Sequence, residues 1–380
     1  MGAHALLSPS AAHRWLNCTA APLLEAGVED AGSEYAAEGS LAHAYCALKL
    51  KKYLGLPTDA EEAEIEERQK YHTGEMDEYT DTYVTIVLEK YNTALTRTKD
   101  AQLLIETRLD FGQYIPDAFG TADAIIIADG AIDVIDFKYG KGVRVSAYDN
   151  PQMKIYALGA MAKFDLEYDI RSVTMSIVQP RIDNLSVYDL STEELLSWAT
   201  SELVPKAKEA YKGGSQKPGD WCQFCKVKHT CRALSDLCAG IIAKDPKLIS
   251  TQELATEVLP MLPTVKTWLS GVEEYALQQA LSGVALPGWK VVEGRSNRKI
   301  VNVEGAAAAL ESAGYARSVI FRPQELCTIT DLEKMVGKKQ FAAICGDFIE
   351  KPKGKPTLAT EDDKRPALDP IADDFANVQL

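Results

Sequence analysis

The chain has 380 residues, of which 46% are hydrophobic and 25% charged, a composition typical of soluble globular proteins with one large or two ordinary domains. No apolar run approaches the ~20 residues that cross a bilayer, and the first residues lack the basic-then-apolar pattern of a secretory signal. We therefore exclude a membrane protein and expect a cytoplasmic one. The net charge of −14 argues against binding nucleic acid through bulk charge, although a local basic stripe can still follow phosphates.

Two helical segments are predicted near the N-terminus. The first, residues 8–21, begins with a serine as N-cap and carries Cys18. The second, residues 33–52, carries His43. A helical histidine more often packs in a core than binds a metal, but the Glu-Gly pair just before this one favours a metal role. Further helical segments are predicted over residues 57–68 and 75–96.

The middle of the chain holds two short apolar runs, residues 124–128 and 132–137, joined by Asp129-Gly130. An Asp-Gly pair between two β-rich runs is a strong hairpin signal, because glycine tolerates the positive φ of a tight turn. We therefore predict a β-hairpin here, preceded by another strand over residues 103–109.

Four charged side chains are associated with these strands. Glu106 lies on the strand before the hairpin, and Asp123 lies at the start of the first hairpin strand. Asp136 and Lys138 are two residues apart on the second, so their side chains leave the same face of the sheet. Carboxylates can hold a divalent cation, and a nearby lysine can orient or deprotonate a water. Surface hairpins also often carry Asp and Lys, and the pattern alone leaves that alternative open.

The segment after the hairpin completes an α/β core. A helix ending near residue 163 carries Gln152 and Tyr156 at i and i+4, on one face. Two strands, over residues 172–178 and 185–190, are followed by an amphipathic helix over residues 192–211 that starts with a capping-box pattern. This order predicts a mixed central sheet flanked by helices.

Taken in chain order, these residues resemble the motif set of the RecB-like branch of PD-(D/E)XK nucleases. The matching residues are His43, Glu106, Asp123, Asp136, Lys138, Gln152 and Tyr156. The resemblance implies a restriction-endonuclease-like core that hydrolyses DNA phosphodiester bonds with Mg²⁺ or Mn²⁺. Many relatives have Glu at the position of Asp136, a change that the pattern permits.

The resemblance also assigns a role to each residue. Asp123 and Asp136 would bind the cation with His43 as a further ligand, and Glu106 would contribute directly or through a water. Lys138 would position or activate the attacking water, or neutralise developing charge. The pair on the following helix, Gln152 and Tyr156, would hold the scissile phosphate or the lysine.

A second motif lies after this core, where Cys222, Cys225 and Cys231 have the spacing C-x₂-C-x₅-C. In a cytoplasmic protein, cysteines so spaced indicate metal or cluster ligation before disulfides. His229 could complete a tetrahedral zinc site. Cys18 could instead complete a [4Fe–4S] cluster. RecB-like nucleases with such a cluster, among them AddB-type exonucleases and CRISPR adaptation nucleases, have one cysteine before the core and three after it, which favours the cluster.

The whole chain also resembles an uncharacterised phage-encoded family of this nuclease type, in which the start is similar to SAAHRWLNC and a later stretch to EGRSNRK. This resemblance implies a phage or prophage setting in a bacterial host, with phage recombination or replication proteins as partners. The predicted segments are a helical N-terminal region (1–100), the nuclease core (101–212), the cysteine segment (213–243), an α+β C-terminal region (244–351) and a mobile tail (352–380).

We therefore expect a metal-dependent DNA nuclease, an exonuclease that acts on single-stranded DNA or frayed duplex ends. The alternative from another class is a catalytically weak nucleic-acid-binding protein or recombination scaffold, which the acidic net charge leaves open.

Overall fold

The structure is a computed structural model that divides into two compact units, Met1–Trp268 and Leu269–Leu380. The division into five segments stays a prediction. In the part of the chain that is described, no helix is both long and apolar enough to cross a bilayer. The described residues are 5–28, 34–164, 168–245, 247–294, 298–322, 325–350, 352, 356–360 and 365–368.

The first unit combines helices with one five-stranded sheet. Its helices are α1 (Ala12–Asn17), α2 (Ala21–Glu25), α3 (Glu34–Leu54), α4 (Asp59–Arg68), α5 (Met76–Arg97), α6 (Pro151–Phe164), α7 (Thr192–Trp198), α8 (Val204–Tyr211), α9 (Arg232–Ile242), α10 (Thr251–Glu253) and α11 (Leu262–Leu281), within which the unit ends. Its strands are β1 (Gln102–Asp110), β2 (Phe119–Ala128), β3 (Ala131–Phe137), β4 (Ser172–Gln179) and β5 (Asn184–Ser191).

The strand order is β1-β2-β3-β4-β5, and every neighbouring pair is antiparallel except β3 and β4, which are parallel. The predicted hairpin is β2 and β3, in which Ala128 pairs with Ala131 and Gly130 has the positive φ of the turn, 81°. The prediction of an α/β fold with a mixed sheet flanked by helices is therefore confirmed.

Alternating side chains of β2 enter two separate hydrophobic clusters. Ile125 and Ile127 pack with residues of α1 and α6, whereas Ala124 and Ile126 pack with residues of α3 and α5. The period of two along a strand places helices on both faces of the sheet. Because the helices carry His43 and Gln152, this layering brings both of them to the sheet.

Helix α6 approaches its neighbours very closely at Gly159. A Cβ atom at this position would lie 2.4 Å from a ring carbon of the fully buried Phe111. Only glycine fits this contact without displacing the ring, so Gly159 fixes the position of the helix.

The predicted helix over residues 8–21 is interrupted. Helix α1 ends at Asn17, and Cys18 has φ −122° and ψ 88°. The hydroxyl of Thr19 donates to Glu209 Oε1 at 2.7 Å and accepts from the Ser215 backbone N–H at 2.9 Å. These bonds to a distant segment end the helix where local propensity would continue it.

The second unit has a small core of its own around Leu310, Leu332 and Phe341. Two short strands, β8 and β9, pair antiparallel between its helices. The elements of the second unit after α11 are β6 (Trp289–Glu293), β7 (Lys299–Ile300), α12 (Val303–Ser312), α13 (Arg317–Ile320), β8 (Phe321–Arg322), β9 (Glu325–Leu326), α14 (Ile329–Val336), α15 (Lys338–Cys345), β10 (Ile349–Glu350) and β11 (Pro356–Thr360).

The prediction of a mobile tail from residue 352 is wrong for Pro356–Thr360. This segment forms β11 and pairs antiparallel with β6, and Ala367 bridges to Val292. The average composition of the tail hides its short β-forming segment, which finds a partner strand elsewhere in the unit. Residues 353–355, 361–364 and 369–380 of the predicted tail, and residues 295–297 within the EGRSNRK stretch, lie outside the described residues.

Candidate active site

Three predicted site residues from three elements converge. Glu106 lies on β1 between two residues, Ile105 and Thr107, whose partners on β2 flank Asp123. Helix α3 brings His43 Nδ1 to 3.3 Å from Asp123 Oδ1. One ligand atom from each of the three side chains lies within 4.8 Å of the other two. Two carboxylate oxygens and an imidazole nitrogen this close together form a possible acidic metal site.

The backbone at Glu106 is unusual. Its φ is 45°, in the left-handed region that residues other than glycine seldom adopt. Such a conformation costs about 1–3 kcal/mol and occurs most often at functional sites. Here it falls on one of the three residues of the possible metal site.

A second group lies between the end of β3 and the start of α6. Lys138 Nζ is 3.0 Å from Asp136 Oδ2 and donates to Gln152 Oε1 at 3.2 Å. Gln152 Nε2 in turn donates to Asp136 Oδ1 at 3.0 Å. The three side chains thus form a closed triangle, and Tyr156, one helical turn further, hydrogen-bonds to Gln152. The structure therefore brings together the Asp-x-Lys and Gln-x-x-x-Tyr pairs.

The two groups are joined by a backbone contact. Phe137, between Asp136 and Lys138, donates its N–H to Asp123 Oδ2 at 2.7 Å. We predicted Asp136 as a metal ligand beside Asp123, yet the compact ligand group contains Glu106 in its place. Asp136 Oδ2 is buried, and no group among the described residues donates a hydrogen bond of good geometry to it. Its near neighbour is the ammonium of Lys138, at 3.0 Å. A buried carboxylate oxygen of this kind is costly unless a cation compensates it.

The electrostatics are those of crowded acids. Burial disfavours the charged form of His43, but Asp123 outweighs it and raises the His43 pKa to about 9. Desolvation and the same carboxylate raise the pKa of Glu106 to about 8. Burial also raises the pKa of Asp136, whereas His43 lowers that of Asp123 despite burial. In the metal-free protein, bound protons thus neutralise part of the negative charge of these carboxylates, a role that a divalent cation would otherwise fill.

Sequence reasoning missed one positioning residue, Arg181. Its guanidinium lies 3.3 Å from Glu38 Oε1 and stacks over the ring of Tyr139 at 4.6 Å. It therefore ties the start of the His43 motif to the residue after Lys138. No local pattern marks Arg181, because its partners are distant in the chain.

The four cysteines predicted for the cluster all line one cavity. Cys18 follows α1, and Cys231 precedes α9. The backbone N–H groups of Lys217 and Gly219 donate to cysteine sulfurs at 3.5 and 3.4 Å. His229, the alternative zinc ligand, is not among the residues that line this cavity. The cysteines that line it are Cys18, Cys222, Cys225 and Cys231.

The sulfur atoms of these cysteines are not tightly grouped. Within the described part of the chain, no three cysteine sulfurs lie within 4.8 Å of one another. Burial raises the pKa of Cys222, and it raises that of Cys225 to about 12, so both thiols hold their protons at neutral pH when no metal is bound.

Among solved structures, the chain is similar to the crystal structure of SSO0001, with a TM-score of 0.25 and 14% identity over 58% of this chain and 96% of that one. It is also similar to a protein from Eubacterium rectale provisionally described as an exonuclease, with a TM-score of 0.33 and 12% identity over 66% of this chain and 93% of that one. Likeness at this level says nothing about the activity of this chain. The model of the DUF2800 family, described as proteins of unknown function, matches residues 4–366. The chain therefore belongs to the DUF2800 family.

Proposed function

We propose that this protein is a metal-dependent DNA nuclease of the RecB-like PD-(D/E)XK type. The observation that carries the proposal is the grouping of His43, Glu106 and Asp123 within 4.8 Å, connected through Phe137 to the Asp136–Lys138 pair. Carboxylate oxygens with one imidazole nitrogen suit Mg²⁺ or Mn²⁺. When bound, the cation would supply a water of lowered pKa and Lewis acidity at the phosphate.

The side chains divide the remaining work. Asp123, Glu106 and His43 would hold the cation, and Asp136 would add its buried negative charge as a further ligand. Burial opposes the charge on Lys138, but the carboxylates outweigh it and raise its pKa. Its ammonium therefore stays protonated, which suits neutralising charge on the transition state better than removing a proton from water.

The hydrogen-bond triangle explains the Gln-x-x-x-Tyr pair. Gln152 holds both Asp136 and Lys138, so it fixes the lysine relative to the carboxylate. Tyr156 hydrogen-bonds to Gln152 and is itself buried. Gln152 and Tyr156 would together align Asp136 and Lys138. We propose that they also orient the scissile phosphate.

We propose a [4Fe–4S] cluster in the cysteine-lined cavity. The observation that supports it is that Cys18 lines this cavity together with Cys222, Cys225 and Cys231, whereas His229 does not. This favours Cys18 over His229 as the fourth ligand. The choice of a cluster over a zinc ion bound by the same four thiolates rests on the resemblance to RecB-like nucleases with a cluster.

The substrate proposed, by resemblance, is single-stranded DNA or a duplex with frayed ends. The test uses anaerobically purified protein with end-labelled single- and double-stranded DNA, in Mn²⁺ or in EDTA. Cleavage should require Mn²⁺ and fall at least several-hundredfold in folded Asp123→Asn, Asp136→Asn and Lys138→Gln proteins. Asp129→Asn, in the exposed hairpin turn, is the matched control and should cleave normally.

Three outcomes would contradict parts of the proposal. Cleavage that survives all three site substitutions would show that the centre lies elsewhere. Rapid nicking of closed circular duplex, with linear single strands untouched, would refute the preference for single strands and ends. DNA binding without Mn²⁺-dependent cleavage would establish the alternative, a binding or scaffold protein.

A further inference from the structure

The loop between β3 and α6 leaves the proposed catalytic centre and returns to it. It comprises residues 138–150, and the side chains of Lys138 at its start and Gln152 just beyond its end are 3.2 Å apart. Tyr148 is four residues before Gln152, so at most about 14 Å of extended chain separates them. Tyr148 is therefore held within a short reach of the centre.

Buried amide side chains fix the backbone of the loop. Gln179 Nε2 donates to the carbonyl oxygens of Gly140 and Val143 at 2.6 and 2.8 Å, and Gln179 Oε1 accepts from the Val145 N–H at 3.2 Å. Asn184 Nδ2 donates to the Val145 carbonyl at 2.9 Å. Both amides are buried. Backbone bonded in this way is held in one conformation, so the loop presents its side chains in defined places.

One of these side chains is a large aromatic ring left in solvent. Tyr148 is 71% exposed, and its ring centroid lies 4.9 Å from that of Tyr188 on the edge strand β5, at an interplanar angle of 61°. The hydroxyl of Ser186, also on β5, accepts the N–H of Ala147 and so fixes the loop beside this strand. An exposed ring on a fixed backbone is the usual platform for stacking an unpaired base.

The same loop carries two exposed cations, Lys141 and Arg144. Neither has an ion-pair partner among the residues that the structure describes. The acidic residue next to Tyr148, Asp149, is already paired with Lys154. The loop thus offers unpaired positive charge in a chain of net charge −14.

We propose that this loop and Tyr188 form the track that leads single-stranded DNA to the catalytic centre. Lys141 and Arg144 contact phosphates, and Tyr148 stacks on an unpaired base with Tyr188 supporting it. In a duplex the base faces are covered by neighbouring pairs, so the ring selects unpaired strands. The track rests on the proposed nuclease function and extends it to a substrate path.

Binding in EDTA tests the track without cleavage. The probe is a fluorescein-labelled oligothymidylate of about 20 nucleotides, followed by anisotropy. Tyr148→Ala should weaken binding about tenfold or more, and Tyr148→Phe, which keeps the ring, less than about twofold. Tyr53→Ala is the matched control, because Tyr53 is also exposed (55%) and lies ten residues beyond His43, about 15 Å along α3.

Salt dependence tests the phosphate contacts. Lys141→Gln and Arg144→Gln should each lower the slope of log affinity against log salt by about one, whereas Lys99→Gln, another exposed lysine, should leave it unchanged. An abasic position moved along the probe tests stacking directly. The wild-type protein should bind more weakly when the missing base is at one particular position of the probe. Tyr148→Ala should bind that probe no more weakly than it binds the intact one.

The outcomes separate the track from the nuclease. Cleavage by wild type with unchanged binding by Tyr148→Ala would overturn the track alone. Binding that depends on Tyr148, without any cleavage, would overturn the nuclease and keep the track. Duplex bound as tightly as single strand, with equal dependence on Tyr148, would overturn the selection of unpaired strands. A wild-type protein that neither binds nor cleaves would refute both.

Discussion

Glu106 and Asp123, on neighbouring strands, bring ligand oxygens within 4.8 Å of each other, and Glu106 has a backbone φ of 45°. Like charges this close together disfavour each other's ionised form. In the cation-free protein the repulsion is relieved by protons, since the pKa of Glu106 is raised to about 8 and that of His43 to about 9. Protons and a divalent cation therefore compete for the same site.

This competition predicts opposite pH trends with and without metal. Between about pH 4.5 and 8 folded Glu106 keeps a proton that the unfolded chain has lost, and His43 does so between about 6.5 and 9. The free energy of unfolding of the metal-free protein should therefore fall as pH rises from about 5 to 9. Mn²⁺ needs the deprotonated ligands, so the increase in Tm that it causes should grow over the same range. Thermal melts in EDTA and in Mn²⁺ measure both trends.

The variant Glu106→Gln isolates the glutamate. It should flatten the pH dependence of the metal-free Tm below about pH 8 and reduce the Mn²⁺-induced increase, because an amide neither titrates nor binds the cation well. Glu66→Gln, an exposed glutamate on α4, is its control. An unchanged pH slope in Glu106→Gln would mean that another group carries the proton.

A second prediction concerns alignment by Gln152. Gln152→Ala removes the bonds to both Asp136 and Lys138 but leaves their charges in place. We expect kcat for DNA cleavage to fall about 10- to 100-fold with little change in KM, since misplaced catalytic groups mainly affect the transition state. The exposed Gln113 provides the control, Gln113→Ala. An increase in KM with unchanged kcat would show instead that Gln152 only binds substrate.

The strands and helices that carry the site follow from local patterns. The Asp129-Gly130 turn, the two-residue spacing of Asp136 and Lys138, and the four-residue spacing of Gln152 and Tyr156 depend only on chain geometry. The φ of Glu106 does not, because glutamate seldom adopts the left-handed region and no local pattern marks it here. Long-range contacts are equally invisible to local reasoning, which is why the sequence showed neither the role of Arg181 nor the break at Cys18.

The close approach of α6 gives a prediction about stability. Gly159→Ala would place a methyl group against the buried ring of Phe111, so overpacking of about 1–3 kcal/mol should outweigh the gain in helix propensity of up to about 1 kcal/mol. In Gly39→Ala on α3, nothing lies within 4 Å of the new atom. That variant should instead gain about 0.5–1 kcal/mol. Tm values of the two variants measure the difference, and equal shifts would contradict the packing argument.

The last prediction is that the cysteine site is a structural clasp. Cys18 and Cys222 are about 200 residues apart, and closing a flexible loop of that length costs about 4–5 kcal/mol. That cost is comparable to the net stability of many domains, and ligation in the folded state can offset it. Other contacts already join the same segments, since Glu25 binds Arg14 and the N–H of Lys226. A shared cluster would lock this junction.

Cys18→Ala should therefore lower the folding yield and Tm and bleach the brown colour, with activity falling only in proportion to folded protein. Wild type should contain about four iron and four sulfide per chain. Cys327→Ala, in the second unit and not among the residues that line the cavity, should keep iron content and Tm near those of wild type. Stoichiometric zinc without sulfide would establish the zinc site instead. If Cys18→Ala kept both its iron and its stability, Cys18 would not be the fourth ligand, and the N-terminal segment would be held by its hydrogen bonds and ion pairs alone.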